Sequence, residues 1–373
     1  MRTVRRLFYR DILSSVGFVA VAFIGLFYFI DFVDDLDAIG RGGRAAWHVA
    51  LASLYQVPSH FYDLFPIAVL IGTIYALARM AQASEYTILR TGGLGPGRAL
   101  RLLATLGVAF GALNFVVGDY LTPWADRASL LLTAQFDGVR QIGGAGAWLK
   151  ERHAAADGGG GGEHSLSINV GGVAASGRLQ GVRAYEFDAD GRLVSRIGAR
   201  EADVAADGTW TLHEVRRTTW PRARSDAPVV RDETLPRLEL KTGLDARVVA
   251  AAVLPLSSMT TLELWRYRVH LDDQAQASAP VEIRFWKKAL YPLSCLVMVA
   301  LALPFAYLHA RAGSVSLKVF GGIMLGIGFV LLNNLAGHIG MLRDWTPWIV
   351  ASAPSLLFLL LSLAAFAWLV RYR

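Results

Sequence analysis

The sequence has a single cysteine, Cys295, and lacks the common motifs of energy-converting and hydrolytic enzymes. One cysteine excludes a disulfide framework and a thiolate zinc site, and we interpret Cys295 as a small buried apolar residue. No G-x-x-x-x-G-K-[ST] loop occurs, since the closest glycine-rich stretch, Gly92–Gly97, contains no lysine. HExxH, GxSxG and paired His/Cys spacings are also absent, and the eight histidines are scattered. Any transport by this protein therefore needs an energy source on another subunit.

Charged residues form 18% of the chain and are sparse in six long hydrophobic runs. The runs are Leu13–Ile30, Val57–Leu77, Leu100–Val117, Phe285–Tyr307, Val319–Leu335 and Ile349–Val370. A helix needs roughly 20 apolar residues to cross a ~30 Å hydrocarbon core, and each run is about that long. The pattern predicts a polytopic α-helical membrane protein with six transmembrane helices. Residues 1–120 hold helices 1–3, residues 281–373 hold helices 4–6, and residues 121–280 form an extramembrane domain between helices 3 and 4.

Basic residues are distributed unequally between the two sets of short loops. One set carries twelve of them: Arg2, Arg5, Arg6, Arg10, Arg79, Arg90, Arg98, Arg101, Arg311, Lys318, Arg371 and Arg373. The opposite set carries three: Arg41, Arg44 and Arg343. The positive-inside rule then places both termini in the cytoplasm and the inserted domain on the far side, which is the periplasm in a bacterium with two membranes. The first run has no small-residue cleavage site, so we interpret it as a retained span.

The inserted domain has the pattern of an all-β fold. Short β-prone segments occur at Ser165–Val170, Gly181–Phe187, Arg192–Ile197 and Trp210–Val215, with turn signals at Asp188–Gly191 and Ala206–Gly208. This spacing predicts a sandwich or jelly roll. Helices are predicted on both sides of it, at Leu121–Gln141 and Ser257–His270, and Gly158–Gly162 is predicted to be a flexible loop.

The cytoplasmic stretch Arg79–Arg101 predicts a short amphipathic helix at about 79–92, followed by a Gly/Pro break. Its apolar residues are Ile88 and Leu89, and Glu85 is expected to be exposed. A solvated connector is one interpretation. The other is a helix that docks into a groove of a basic soluble partner and transmits motion from it.

Five segments together resemble the lipopolysaccharide export permease (LptF/LptG) family. They are IDFVDDL after span one, VPSHFYDLFPIAVLIGTIYALARMAQ through span two, SEYTILRTGG after it, and GAWLKE and YEFDADGRL in the β domain. FVDDL and the short C-terminus are more similar to the LptG branch than to the LptF branch. The resemblance extends over essentially the whole chain, and it is the joint order of the segments that makes it specific.

The resemblance implies a transport subunit without its own ATPase site, cofactor, metal or nucleic-acid partner. The implied partners are a paralogous LptF-type permease, a dimeric cytoplasmic ABC ATPase, a periplasmic jelly-roll bridge protein and a membrane-anchored adaptor. Lipopolysaccharide would enter a central cavity from the outer leaflet of the bacterial inner membrane, between spans one and five of opposite subunits, and pass into jelly-roll grooves. The alternative is a subunit that couples the ATPase to periplasmic partners without passing substrate. A membrane-anchored sensor is disfavoured because sensing does not require six spans.

The resemblance also implies roles for individual residues. Glu85 matches the acidic residue that pairs with a basic residue of the ATPase, and Ser84 and Arg90 are expected to belong to the same coupling contact. The cavity positions are Phe23, Phe27, Leu64, Phe65 and Ile323. Asp31 and Arg127 are the expected polar contacts to lipid, although some members carry a lysine where this chain has Asp31. Phosphate recognition would then come from the partner permease, or from a divalent cation bridging Asp31 to phosphate.

In the β domain the predicted lipid path consists of Ile168, Tyr185, Phe187 and Leu212, which we expect to line one face of a half-open sandwich. A closed core in which these side chains contact only one another is the alternative. In span five, Gly322 and Gly326 form a small-xxx-small pair, which favours close helix packing.

Overall fold

The structure of the chain is a computed structural model. It describes residues 2–40, 43–83, 96–137, 140–141, 147–153, 164–174, 178–205, 208–220, 230–242, 244, 256–273, 278–307, 315–343 and 345–371. The helices are α1 (Arg2–Asp34), α2 (Ala46–Gln82), α3 (Pro96–Val116), α4 (Thr122–Asp137), α5 (Thr261–Asp273), α6 (Ala279–Leu290), α7 (Leu293–Tyr307), α8 (Val315–Leu342) and α9 (Pro347–Arg371). The fold separates into a helical unit (Met1–Asp37, Val49–Asp126, Ala279–Arg373) and a sheet unit (Ala38–His48, Arg127–Ser278).

In the described part of the chain, five helical segments are long and apolar enough to cross a membrane, and the bent pair α6–α7 makes a sixth if it counts as one span. This pair corrects the prediction of an uninterrupted run over Phe285–Tyr307. The chain bends there by 51° between Leu290 and Leu293. The physical reason is Pro292, which cannot donate a backbone hydrogen bond and whose ring clashes with the preceding helical turn.

Helix α2 is largely buried in the helical unit, and glycines allow two of its neighbours, α1 and α8, to approach it closely. A Cβ added to Gly72 of α2 would lie 2.5 Å from the Cα of Val16 on α1. On α8, a Cβ at Gly322 would lie 2.5 Å from Ile74 Cδ1, and one at Gly326 would lie 3.0 Å from Ile67 Cγ2. The small-residue pair in span five therefore packs against α2. The core formed this way includes Phe8, Phe65, Leu70, Leu77, Leu103, Met298 and Phe329.

A π-helical turn, Val117–Leu121, joins α3 to α4 and carries a buried charge. Asp119 Oδ1 lies 3.9 Å from Lys288 Nζ on α6, with both side chains about nine-tenths buried. A Cβ at the neighbouring Gly118 would overlap the ring of Tyr62. The glycine therefore lets the Tyr62 ring pack directly on the backbone of the turn.

Within the described residues, the strands form one antiparallel sheet of eight strands. They are β1 (Arg140–Gln141), β2 (Ala147–His153), β3 (His164–Val170), β4 (Gly172–Val173), β5 (Leu179–Phe187), β6 (Leu193–Val204), β7 (Thr209–Thr219) and β8 (Arg231–Lys241). The long strand β5 pairs with β3 and β4 on one side and with β6 on the other, giving the run β2-β3-β5-β6-β7-β8. The predicted turn at Asp188–Gly191 is present, with Gly191 at φ 75°.

The sheet is strongly curved around one hydrophobic core. Leu149 of β2 is buried in this core, and Leu240 of β8 packs against it, although β2 and β8 lie at opposite ends of the run. Trp210 is fully buried at the centre, and its indole N–H donates to the carbonyl oxygen of Leu244 at 3.2 Å. We call the side of the sheet that faces this core the inner face, and the opposite side the outer face.

A line of backbone irregularities crosses the sheet from β5 to β8, and we call it the crease. On β5, β6 and β7 the buried residues on either side of it are three positions apart instead of two, for example Ala199 and Ala202. The residues on the line are Gly181 (φ 62°), Arg200, Glu214 (φ 51°) and Pro236, which stand opposite one another in the register. Such irregularities bend strands and increase their twist.

The helices flanking the sheet differ from the prediction at their ends. The helix predicted over Leu121–Gln141 stops at Asp137, because Arg140 and Gln141 pair with β4. The helix predicted over Ser257–His270 begins at Thr261 and follows a 3₁₀ turn, Leu256–Ser258. Its start is a capping box: the Glu263 amide donates to Thr260 Oγ1 at 3.1 Å, and the Thr260 amide donates to Glu263 Oε2 at 2.8 Å. The predicted loop Gly158–Gly162 lies outside the described residues.

Candidate functional site

An apolar pocket lies between α1 and α2 and brings together three of the predicted lipid-contact residues, Phe23, Leu64 and Phe65. The other side chains lining it are Ala20, Ile24, His60, Phe61 and Ala68. Phe61 and Phe65 stack with ring centroids 4.5 Å apart, which fixes the aromatic wall on the α2 side. Apart from His60, the lining of the pocket is apolar.

The pocket exists because α1 packs closely over only part of its length. Phe8, Ile12 and Val16 recur every four residues, one face of a helix, and are buried against the core. From Phe23 to Asp34 no residue of α1 is buried. The C-terminal half of α1 thus leaves apolar surface uncovered.

At one end of this pocket His60, which was not among the predicted site residues, contacts both Asp31 and Phe27. His60 Nε2 lies 2.6 Å from Asp31 Oδ2, and the Phe27 and His60 ring centroids are 5.1 Å apart. The side chains of Asp31 and His60 are 15% and 25% exposed. No sequence pattern identifies this pair, because its members belong to different helices and are 29 positions apart. The pair links α1 to α2 beside the apolar wall.

The two remaining predicted lipid contacts lie elsewhere. Ile323 is half-buried on α8 and does not line the pocket. Arg127 on α4 forms two 2.7 Å hydrogen bonds to the carboxylate of Glu263 on α5. Burial raises the pKa of Glu263, but hydrogen bonds from the Thr260 amide and from Arg127 outweigh burial and leave this pKa below its usual value. Arg127 therefore has a structural partner within the sheet unit.

The predicted lipid path in the sheet needs a correction, because its four residues do not share a face. Ile168 and Leu212 are on the inner face and are almost completely buried. Tyr185 and Phe187 pair with Ser167 and Ser165 of β3, so they stand on the outer face. Apolar character alone suggested a common face, whereas the register, which alternates side chains with period two, separates them.

The proposed coupling residues Ser84, Glu85 and Arg90 lie outside the described residues, in the connection between α2 and α3. A metal site is not indicated either: within the described ranges, no group of three or more His, Cys, Asp or Glu side chains is arranged to hold an ion.

Comparison with known proteins identifies the family. The family of the lipopolysaccharide export system permease LptF/LptG matches residues 6–370. The chain belongs to the LptF/LptG family. It is 23% identical over 372 residues to the lipopolysaccharide export system permease protein LptG of Haemophilus influenzae (strain Rd), covering 97% of each chain. It is 24% identical over 359 residues to the proteins of the same name from Escherichia coli K12 and O6:H1, covering 95% of each chain.

Membership of the LptF/LptG family confirms the resemblance found in the sequence. A member of this family is a multi-pass permease of the inner membrane and a subunit of the lipopolysaccharide export system. Within the described residues of this LptF/LptG chain, the α1–α2 pocket and the inner face of the sheet are both lined mainly by apolar side chains.

Proposed function

We propose that this chain is one permease subunit of an ATP-driven transporter, that it extracts lipopolysaccharide from the inner membrane, and that acyl chains occupy the α1–α2 pocket. The observation that carries the proposal is the uncovered C-terminal half of α1, which leaves Phe23 and Phe27 beside the aromatic wall of α2. Each methylene that leaves water for such a surface gains roughly 0.8 kcal/mol. Asp31 and His60 then lie beside the junction between the acyl chains and the polar part of the lipid.

The proposed topology has six spans, with both termini in the cytoplasm and the sheet unit in the periplasm. It is supported by the distribution of basic residues and by the bent pair α6–α7 acting as the fourth span. The ATPase dimer, the paralogous permease, the bridge protein and the adaptor are the proposed partners, on the grounds of family membership.

The sheet unit is proposed to be a jelly roll that receives acyl chains at the margin of its core. Support comes from the curvature that gives β2 and β8 one common core, and from Leu235, Leu238 and Leu240, which are only half-buried at the β8 margin. Ile168 and Leu212 lie deeper, so they hold the core and support this margin.

The decisive experiment is photo-crosslinking in the assembled complex. A photo-reactive phenylalanine analogue at Phe23 or Phe27 is expected to trap lipopolysaccharide. The matched control is Phe18, which is on the same helix, is 77% exposed and does not line the pocket. It should label bulk phospholipid instead.

Absence of lipopolysaccharide adducts at Phe23 and Phe27, in a complex that still hydrolyses ATP and exports, would favour the alternative function of mechanical coupling without substrate passage. Equal labelling at Phe18 would also contradict the pocket, because it would reflect only the surrounding bilayer.

Coupling to the ATPase is proposed to depend on Glu85. Glu85→Lys places a positive charge where the family pairs an acid with a base, and truncation or reversal of such a pair costs about 2–5 kcal/mol when it is desolvated. We expect loss of ATPase co-purification or of transport. Glu85→Gln should be milder, and wild-type assembly and transport in the lysine variant would refute the role.

A further inference from the structure

The outer face of the sheet carries two aromatic and three basic residues on neighbouring strands. They are Trp148 and Lys150 of β2, Arg183 and Tyr185 of β5, and Arg196 of β6, and we call them the outer platform. Trp148 and Tyr185 stack with ring centroids 6.0 Å apart and an interplanar angle of 23°. Trp148 is 54% exposed. Part of the Trp148 ring is therefore accessible to solvent, and Tyr185 supports it from the neighbouring strand.

The strand register shows that these residues form one continuous surface. Trp148 stands opposite Asn169, which stands opposite Arg183. Lys150 stands opposite Ser167, and that row continues through Tyr185 to Arg196. The platform is therefore two adjacent cross-strand rows on the same side of the sheet.

The charge on these rows is of one sign. From β2 to β6 neither row contains an aspartate or glutamate, and the intervening positions are serine, asparagine and glycine. The acidic residues of β2 and β5 in this region, Glu151 and Glu186, stand opposite Leu166 in the register and so belong to the inner face. Arginine suits planar bidentate recognition of phosphate, and aromatic rings offer flat apolar faces to sugar rings.

The two faces of the sheet thus match the two halves of a glycolipid. The inner face is mainly apolar, with Glu151 and Glu186 as its acidic residues on β2 and β5, and the outer platform combines stacked rings with cations. Among the described strands, β2 pairs only with β3, so the sheet ends at β2. A molecule whose tails lie at the margin of the core can reach the platform around this edge.

We infer that the outer platform binds the phosphorylated saccharide portion of lipopolysaccharide while its acyl chains stay at the margin of the sheet's core. This inference rests on the proposed function, because it takes the same substrate. The platform provides stacking for sugar rings through Trp148 and Tyr185, and charge-assisted hydrogen bonds to phosphate through Arg183 and Arg196.

The test uses full-length protein in detergent and deacylated lipopolysaccharide as the probe, measured by calorimetry. Deacylation removes the tails, so only the saccharide is assayed. The double variant Arg183→Gln/Arg196→Gln should bind at least about 10-fold more weakly. Trp148→Leu should bind several-fold more weakly. Wild-type binding should fall with added salt, because exposed charges are screened over about 8–10 Å at 0.1–0.15 M ionic strength.

The matched control is Arg237→Gln, which removes an exposed arginine of β8 that pairs with Glu239 away from the platform; its affinity should be unchanged. Dephosphorylated saccharide should bind wild type more weakly and should show no further loss in the double variant. Equal affinity of wild type and both platform variants overturns the inference. Pocket adducts at Phe23 combined with no saccharide binding would reject the platform alone, whereas saccharide binding without pocket adducts would reject the proposed function alone.

Discussion

Replacing Gly72 by alanine tests whether close contact between α1 and α2 shapes the lipid pocket. The new Cβ would lie 2.5 Å from Val16 Cα and 2.6 Å from Val16 N, both backbone atoms. Ordinary contact begins at 3.4 Å, so α1 must move by about 1 Å, since a side-chain rotation cannot relieve the overlap. Overpacking of this kind costs about 1–3 kcal/mol.

The assay exploits the single cysteine. Cys295 on α7 is completely buried in the helical core, so a thiol-reactive dye labels it only when the helical unit opens. A loss of about 1–3 kcal/mol lowers the unfolding temperature of a unit of this size by roughly 2–12 °C. The displaced α1 should also weaken photo-crosslinking from Phe23 across the pocket.

The control substitution is Gly25→Ala, also on a membrane helix, where no atom lies within 4 Å of the new Cβ. Alanine is favoured over glycine in a helix by about 1 kcal/mol, so this variant should be neutral or slightly more stable. Gly322→Ala should be intermediate, because its overlap is with the flexible end of Ile74. If Gly72→Ala unfolds at the same temperature as Gly25→Ala, the close-contact argument is refuted.

Three further changes probe the sheet unit. Glu214 has φ 51°, in the left-handed region, which costs a non-glycine residue about 1–2 kcal/mol. Glu214→Gly should therefore raise the urea midpoint of unfolding slightly, and Glu214→Val should lower it. The opposite order would contradict the strain at this position. The lowered pKa of Glu263 adds stability above its unfolded pKa, and this stability is lost as pH falls through the folded pKa. Glu263→Gln should therefore lower the melting temperature at pH 7, and the difference should shrink as the pH is lowered; a pH-independent difference would refute this. Trp210→Ala should cost about 3–5 kcal/mol in denaturant unfolding, and a loss below 1 kcal/mol would show that the core collapses around the gap.

The helical spans were predictable because the thickness of the bilayer sets the length of a hydrophobic run, and this length can be read directly from the sequence. The bend at Pro292 was not predicted, since the run around it is mainly apolar and the hydropathy signal outweighed the proline. The predicted strands match observed ones, although Arg192 precedes the first residue of β6. Strands β2 and β8 were missed, because both contain runs of adjacent charged residues.

The candidate site was only partly predictable for a related reason. Phe23, Leu64 and Phe65 came from the family resemblance, and the structure gathers them in one pocket. His60 was missed, because its partner Asp31 belongs to another helix. Tyr185 and Phe187 were placed on the wrong face, because facing depends on strand register, and local hydrophobicity does not encode it.

The crease allows the sheet to bend at one line rather than evenly along its strands. Strand pairing continues on both sides of the line through Gly181, Arg200, Glu214 and Pro236, with one further register shift at Glu186/Phe187. A change of angle at the line can therefore be absorbed by the torsions of these residues while the ladders on either side stay paired. The two halves of the sheet on either side of the crease can rotate relative to each other about this line. Such a rotation would change the width of the core without separating any strand from its neighbour.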